Sequence, residues 1–266
     1  MARPPRAVAD PGAGKAATGR RAISASQDLC ASQVPSASQI RGASQIRGAS
    51  QIRGASRGLG VSRGRGQAIG VDRLKRRLDV LLAAILLLPT APVMLLAALA
   101  VRLETPGPAL FLQTRVGLHG RCFRIVKLRT LYTGAGSGQV LPGDPRITRV
   151  GYWLRRTSLD ELPQLVNVLR GEMALVGPRP HALPDDLRFA RLYPGYVRRR
   201  EVRPGLTGWA QVQGCRGAIR RPAELDRRTR HDLAYVTGRS LGVDLLILLR
   251  TVRVVIAGAA GTARRD

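Results

Sequence analysis

Aromatic residues are scarce, at 4% of a 266-residue chain. Proteins that read nucleic acid by base stacking need more of them. The three cysteines, Cys30, Cys122 and Cys215, are odd in number and far apart, with no CxxC or Cys/His cluster. That supports neither a disulfide framework nor a zinc site. The three histidines, His119, His181 and His231, are scattered and read as surface residues. Acidic side chains number 17 against 44 basic ones, a formal net charge of +27. Such a balance calls for an anionic partner: nucleic acid, an anionic membrane surface or phosphorylated substrates. No apolar h-region follows the early charges, so Met1 does not open a signal-peptide pattern.

What is present begins with repetition. Residues 1–70 are rich in Ala, Ser, Gly, Gln and Arg, and Ala-Ser-Gln-Ile-Arg-Gly occurs at Ala37, Ala43 and Ala49. One isoleucine per repeat cannot bury a core, so a disordered, low-complexity basic tail is expected.

The most apolar stretch, Val80 to Val101, has 22 residues and is long enough to span a bilayer. Pro89 and Pro92 at its centre predict a break. Arg73, Lys75, Arg76 and Arg77 precede it, and Arg102 and Arg115 follow, so both flanks favour the cytoplasmic side. Each arm measures roughly 14 Å, half a bilayer. A re-entrant helix–break–helix over residues 71–103 satisfies both facts, with Thr90 as a helper for backbone groups freed by the prolines. A kinked span and a buried helix are the alternatives.

A catalytic region over residues 104–238 follows. Ala109–Gln113 and Cys122–Lys127 alternate as a β-hairpin, and Lys127 and Arg129 after it are candidate phosphate contacts. Arg155 to Gly171 reads as a short helix. Ser158 is its N-cap, Glu161 completes a capping box, and Gly171 takes the left-handed position past its end. Asp160 and Glu161 then occupy the first turn, where the helix dipole predicts that Asp160 is ionised at neutral pH. An ionised carboxylate suits a nucleophile or a metal ligand, and the helix mouth with Arg155 suits a phosphate; capping alone also explains the pattern. Arg179 stands between two prolines, a stiff setting for a guanidinium that recognises phosphate. Gly205 and Gly208 permit close backbone approach to a ligand. Asp226–Val236 reads as a helix, and an amphipathic helix is expected within residues 239–266.

Taken in order, these motifs resemble a known family. They are Lys75-Arg76-Arg77-Leu78-Asp79, Pro106-Gly107-Pro108, Arg115-Val116-Gly117, Lys127-Leu128-Arg129-Thr130 and Asp144-Pro145-Arg146-Ile147-Thr148-Arg149. Thr157 to Gln164, Val176 to Pro180 and Arg203 to Trp209 complete the set. The chain is similar, from about Leu74 to Ala257, to the bacterial sugar transferases, the small monotopic phosphoglycosyl transferases that act on polyprenyl phosphate. It departs from their pattern at Leu131, Gln213, Cys215 and Ala234 and has the extra Pro89. The resemblance implies an α+β, mostly helical monotopic membrane protein with a small β-hairpin and amphipathic interfacial helices. It implies transfer of a sugar-1-phosphate from a UDP-sugar to polyprenyl phosphate, with UMP leaving, as the first step of a surface glycan. Asp160 would be the nucleophile, and Glu161 would place Mg²⁺ or the incoming phosphate. Lys127, Arg155 and Arg179 would contact phosphate, and Asp232 would be a further metal ligand.

The expected partners are therefore a UDP-sugar, polyprenyl phosphate and membrane lipids, with no specific nucleic acid and homo-oligomerisation left open. The expected location is the bacterial inner membrane, with the catalytic region on its cytoplasmic face. A non-catalytic membrane scaffold and a basic nucleic-acid-binding protein are the alternatives.

Overall fold

A computed structural model describes residues 65–136, 138–141 and 143–260. The expected tail up to residue 64 lies outside them. Residues 65–70 already belong to the first helix, α1, Arg65–Glu104. This helix is continuous: Pro89 and Pro92 lie inside it, in place of the expected helix–break–helix. Two prolines remove two amide donors, and the hydroxyl of Thr90 donates to the carbonyls of Leu86 (2.7 Å) and Leu87 (3.3 Å). These are not the carbonyls that the prolines free, those of Ile85 and Leu88, so Thr90 does not take the helper role expected of it. Among the described residues α1 alone is long and apolar enough to cross a membrane, and only 6% of its most apolar stretch is buried.

After α1 come an antiparallel hairpin, β1 (Leu110–Val116) and β2 (Cys122–Leu128), and helix α2 (Arg149–Thr157). The hairpin pairs Leu110 with Leu128 and Val116 with Cys122. A 3-10 helix, Leu159–Gln164, leads into α3 (Leu165–Arg170). Strand β3 (Ala174–Val176) is followed by α4 (Leu183–Leu192) and a second 3-10 helix, Pro194–Glu201. Strand β4 (Gly205–Thr207) pairs in parallel with β3. The short α5 (Trp209–Val212), α6 (Pro222–Gly238) and α7 (Leu241–Ala260) complete the chain. One disulfide departs from the cysteine reading: Cys122 is disulfide-bonded, whereas Cys215 is a free buried thiol.

The main core gathers Phe123 and Ile125 of β2, Leu165 and Val168 of α3, Leu175 and Val176 of β3, Tyr235 of α6 and Ile247 of α7. Ala83 of α1 is buried in it. The far end of α1 packs elsewhere, with Val101 against Leu128 and Leu154. Polar contacts hold both ends. Arg76 donates to the carbonyls of Val168 (2.6 Å) and Leu169 (3.1 Å), capping α3 beside Gly171, which is left-handed as expected (φ +86°). Lys75 bridges Asp79 (3.2 Å) and Asp244 of α7 (2.8 Å). At the other end, the Glu104 carboxylate accepts the amides of Arg149 (2.7 Å) and Val150 (3.1 Å) at the mouth of α2.

The glycines expected to meet a ligand meet backbone instead. A Cβ at Gly205 would lie 2.1 Å from the Gly177 nitrogen, and one at Gly177 would lie 2.3 Å from the Arg203 carbonyl. The β3–β4 pair closes only because both lack side chains. Gly177→Ala is therefore expected to cost about 1–3 kcal/mol or more, read as a drop in thermal unfolding midpoint. An unchanged midpoint would mean that the strands can separate freely.

Candidate active site

The turn carrying the two carboxylates is built differently from its expected form. Ser158 holds the N-cap position of a 3-10 helix, but its side chain caps nothing. It ends α2 in the left-handed region (φ 60°), its amide donating to the Arg155 carbonyl. The chain then winds into the 3-10 helix with Asp160 and Glu161 in its first turn, and Ser158 makes no side-chain cap. The capping box does not form, because Glu161 has partners from elsewhere in the chain.

Lys127, at the end of β2, places Nζ 2.8 Å from Glu161 Oε1. Arg179 donates Nη1 to Oε2 at 3.0 Å and Nη2 to Oε1, a bidentate fork. Burial alone would raise Glu161, but Arg179 and Lys127 outweigh it and hold the carboxyl well below its ordinary range. Burial lowers Lys127, with Glu161 opposing.

Asp160 is 7% exposed, and its side chain makes no hydrogen bond to any described residue. Burial pushes its pKa up to about 6, and Glu161 adds to the rise; Lys127, Arg155 and Arg179 restrain it. The direction is opposite to that expected from the helix dipole. At pH 7 the ionised form still leads by about ten to one.

The Pro178-Arg179-Pro180 segment is fixed through three successive carbonyls. Pro178 accepts from the Gly205 amide (3.0 Å), Arg179 from Arg199 Nη2 (2.7 Å) and Pro180 from Arg115 Nη1 (3.0 Å). Arg155 donates to Thr130 Oγ1 at 3.3 Å. These groups line one end of a cavity of about 1090 Å³, together with Arg216. Its lining also includes an apolar set, from Leu86 of α1, Phe111 and Leu112 of β1, Leu206, and Leu248 and Val255 of α7.

The structure thus brings together Asp160, Glu161, Lys127, Arg155 and Arg179. Two other expected residues have their polar groups engaged elsewhere. Arg129 borders the cavity, but its guanidinium closes the end of α1, donating to the carbonyls of Thr105 (2.9 Å) and Pro106 (2.8 Å) and to Thr133. Asp232, 2% exposed, accepts from Arg199 Nε at 2.7 Å and does not line the cavity. Among the described residues no three His, Cys, Asp or Glu side chains gather as a metal cluster.

Several site residues went unassigned in the sequence. His181, read there as a surface residue, is buried and borders the cavity. Its Nδ1 lies 2.5 Å from the Tyr196 hydroxyl, which donates to Asp186 Oδ1 at 2.9 Å. Burial and the neighbouring arginines, Arg199 first, hold its pKa well below the ordinary value, so the ring is neutral. The Arg115-Val116-Gly117 motif was the only signal for Arg115, and nothing local singled out His181.

A family model described as bacterial sugar transferase matches residues 71–258. A Caulobacter vibrioides protein named UDP-glucose:undecaprenyl-phosphate glucose-1-phosphate transferase is 52% identical over 187 residues, covering 69% of this chain and 70% of that protein. An Escherichia coli protein of the same name is 44% identical over 69% of this chain and 40% of its own length. An Aeromonas hydrophila protein named UDP-N-acetylgalactosamine-undecaprenyl-phosphate N-acetylgalactosaminephosphotransferase is 41% identical over 70% of this chain and 44% of its own length.

Proposed function

The chain belongs to the bacterial sugar transferase family, and from that premise we propose that it transfers a sugar-1-phosphate from a UDP-sugar to polyprenyl phosphate. UMP leaves, and the product begins a surface glycan such as an exopolysaccharide, capsule or O-antigen. The observation that carries this reading is Asp160: a buried carboxylate without a hydrogen-bond partner among the described residues, in a cavity lined by Lys127, Arg155 and Arg179 and by apolar residues of α1 and α7.

Two displacements at one phosphorus account for the transfer. The Asp160 carboxylate attacks the phosphorus that bears the sugar; an acyl phosphate bond forms, the diphosphate P–O bond breaks, and UMP takes the electron pair. An oxygen of polyprenyl phosphate then attacks the same phosphorus, and Asp160 leaves as a carboxylate. Such chemistry rests on positioning and charge neutralisation. Arg179 and Lys127, held by Glu161, and Arg155 supply the positive charge. Of the three carboxylates expected at a metal, Asp160 fits Mg²⁺, Glu161 keeps only the lone pairs its two cations leave, and Asp232 does not fit. Asp160 or Glu161 would hold Mg²⁺, whose charge would offset that of the donor's diphosphate.

Membrane attachment from one side is part of the same proposal, with the catalytic region on the cytoplasmic face of the inner membrane. Support comes from α1: its start and its end both pack on the same domain, through Arg76 and Ala83 at one end and Val101 and Glu104 at the other. A helix tethered so favours keeping both its ends on one face of a bilayer. Leu88, Leu95 and Leu96 between them are exposed, as a lipid-facing surface requires. The intact carboxylate pair and its cavity favour catalysis over a scaffold role.

A UDP-sugar panel, assayed for UMP release with and without polyprenyl phosphate, tests the reaction. UDP-glucose is expected to serve best, by the name of the 52% identical relative. No release with any donor would overturn the reading. The pH profile adds a second check. Protonated Asp160 is no nucleophile, so kcat/KM should fall tenfold per unit as pH drops below about 6. An acid limb near pH 4 would show that burial does not govern this carboxylate.

A further inference from the structure

A second cavity, of about 820 Å³, adjoins the first and shares Arg155, Arg216 and Arg228 with it. Among the described residues, none from α1 or α7 lines it. Seven arginines face it against one carboxylate, Glu224. That carboxylate is already committed at the start of α6, accepting the Arg220 amide at 2.8 Å and pairing with Arg221 at 3.3 Å. Arg155, Arg216, Arg220 and Arg227 form no ion pair with any described residue. Arg228 is 6% exposed; it donates Nη2 to the Gly217 carbonyl at 3.0 Å, while its buried Nε has no partner among the described residues.

Like charges so gathered repel one another, and a buried donor left unpaired is costly. An anionic occupant relieves the repulsion. Its chemistry is narrowed by two neighbours. Tyr152, half-exposed on the wall, offers a ring face for a base. The shared arginines continue the cavity to Asp160, so a phosphate chain can run from one chamber into the other.

Resting on the phosphoglycosyl transfer proposed above, we infer that this annex holds the nucleoside-phosphate half of the donor. The diphosphate lies at the junction, against Arg155, Arg216 and Arg228, with the sugar-bearing phosphorus at Asp160. The nucleotide then comes and goes through a chamber that α1 does not line, while the lipid acceptor uses the apolar lining that α1 and α7 give the first cavity. Departure of UMP does not require the acceptor to move, as a two-step displacement needs.

Arg220 and Arg227 are exposed, so their removal should leave the fold intact. The full chain, reconstituted in lipid nanodiscs, would be compared with Arg220→Ala, Arg227→Ala and the double variant. UMP binding is read by calorimetry, and KM is read separately for donor and acceptor. Each single variant is expected to raise the UMP Kd and donor KM roughly tenfold, the scale of one charge-assisted hydrogen bond. The double variant should raise both roughly a hundredfold, with acceptor KM unchanged. Unaltered UMP binding and donor KM in the double variant would overturn the annex while leaving the transferase reading intact. A wild-type protein that transfers no sugar would instead remove the transferase reading, and the UMP titration would still decide the annex. Inorganic phosphate binding as tightly as UMP would also overturn the assignment to a nucleotide.

Discussion

Asp160→Asn is expected to lower sugar-phosphate transfer by on the order of 10⁴-fold or more, the scale on which a covalent nucleophile acts. The substitution removes a negative charge from a group that is 7% exposed and makes no side-chain hydrogen bond to a described residue. It breaks no hydrogen bond, and relief from burial and from Glu161 outweighs the lost attraction of Lys127, Arg155 and Arg179. Thermal stability should therefore hold or rise slightly while turnover disappears. Asp160→Glu should also fail, because a longer arm misplaces the attacking oxygen. Rates within tenfold of wild type in the asparagine variant would assign the chemistry to another group. Loss of activity with loss of folding would be uninformative for asparagine alone, so the unfolding midpoint is measured on the same preparation.

The second large effect concerns Asp232, which separates a structural role from a metal role. Its carboxylate is buried against Arg199 at 2.7 Å, and Arg199 also holds the Arg179 carbonyl. Asp232→Ala should leave Arg199 buried without its counter-charge, at a cost of about 3–5 kcal/mol. Asp232→Asn keeps one acceptor and should cost less. In both, the Mg²⁺ concentration for half-maximal rate should stay within about twofold, since a ligand's loss shifts metal affinity far more. A tenfold rise in that concentration with an unchanged unfolding midpoint would return Asp232 to the metal. Arg199→Lys gives a further check: an ammonium cannot reach both Asp232 and the Arg179 carbonyl in one plane, so KM for the donor should rise before kcat falls.

Local signals carried much of this molecule. The hairpin follows period-two alternation from Leu110 and from Cys122, and the two strands meet in register. The last two helices begin within a few residues of where apolar spacing placed them. Gly171 took the left-handed turn that its position after Arg170 predicted.

Several failures share a cause, competition from distant partners. Ser158 and Glu161 match a capping box as letters, but Lys127 is 34 residues away and Arg179 is 18 away, and both reach Glu161 first. Two cations outbid one backbone amide for a buried carboxylate. Lys127 and Arg129 are alike in sequence, yet β2 ends at Leu128, and beyond it Arg129 finds the open carbonyls of α1. His181 offers no local pattern; its burial comes from Phe189, Tyr196 and the arginines that fold around it. Pro89 and Pro92 predict a break from local rules, and the helix continues through both. The site residues legible in sequence were those whose motif carries its own rigidity, such as the proline-flanked Arg179. Lys127 and Glu161 were legible by motif, but the charge pairing that joins them was not.

The central claim is that phosphorus becomes bonded to Asp160 during turnover. The full chain, incubated with radiolabelled UDP-sugar without polyprenyl phosphate and then quenched, should carry one sugar-phosphate on the peptide containing Asp160. Adding polyprenyl phosphate should discharge it at the rate of turnover. Turnover with no label on the protein at any time, or label on a peptide elsewhere, would contradict the account.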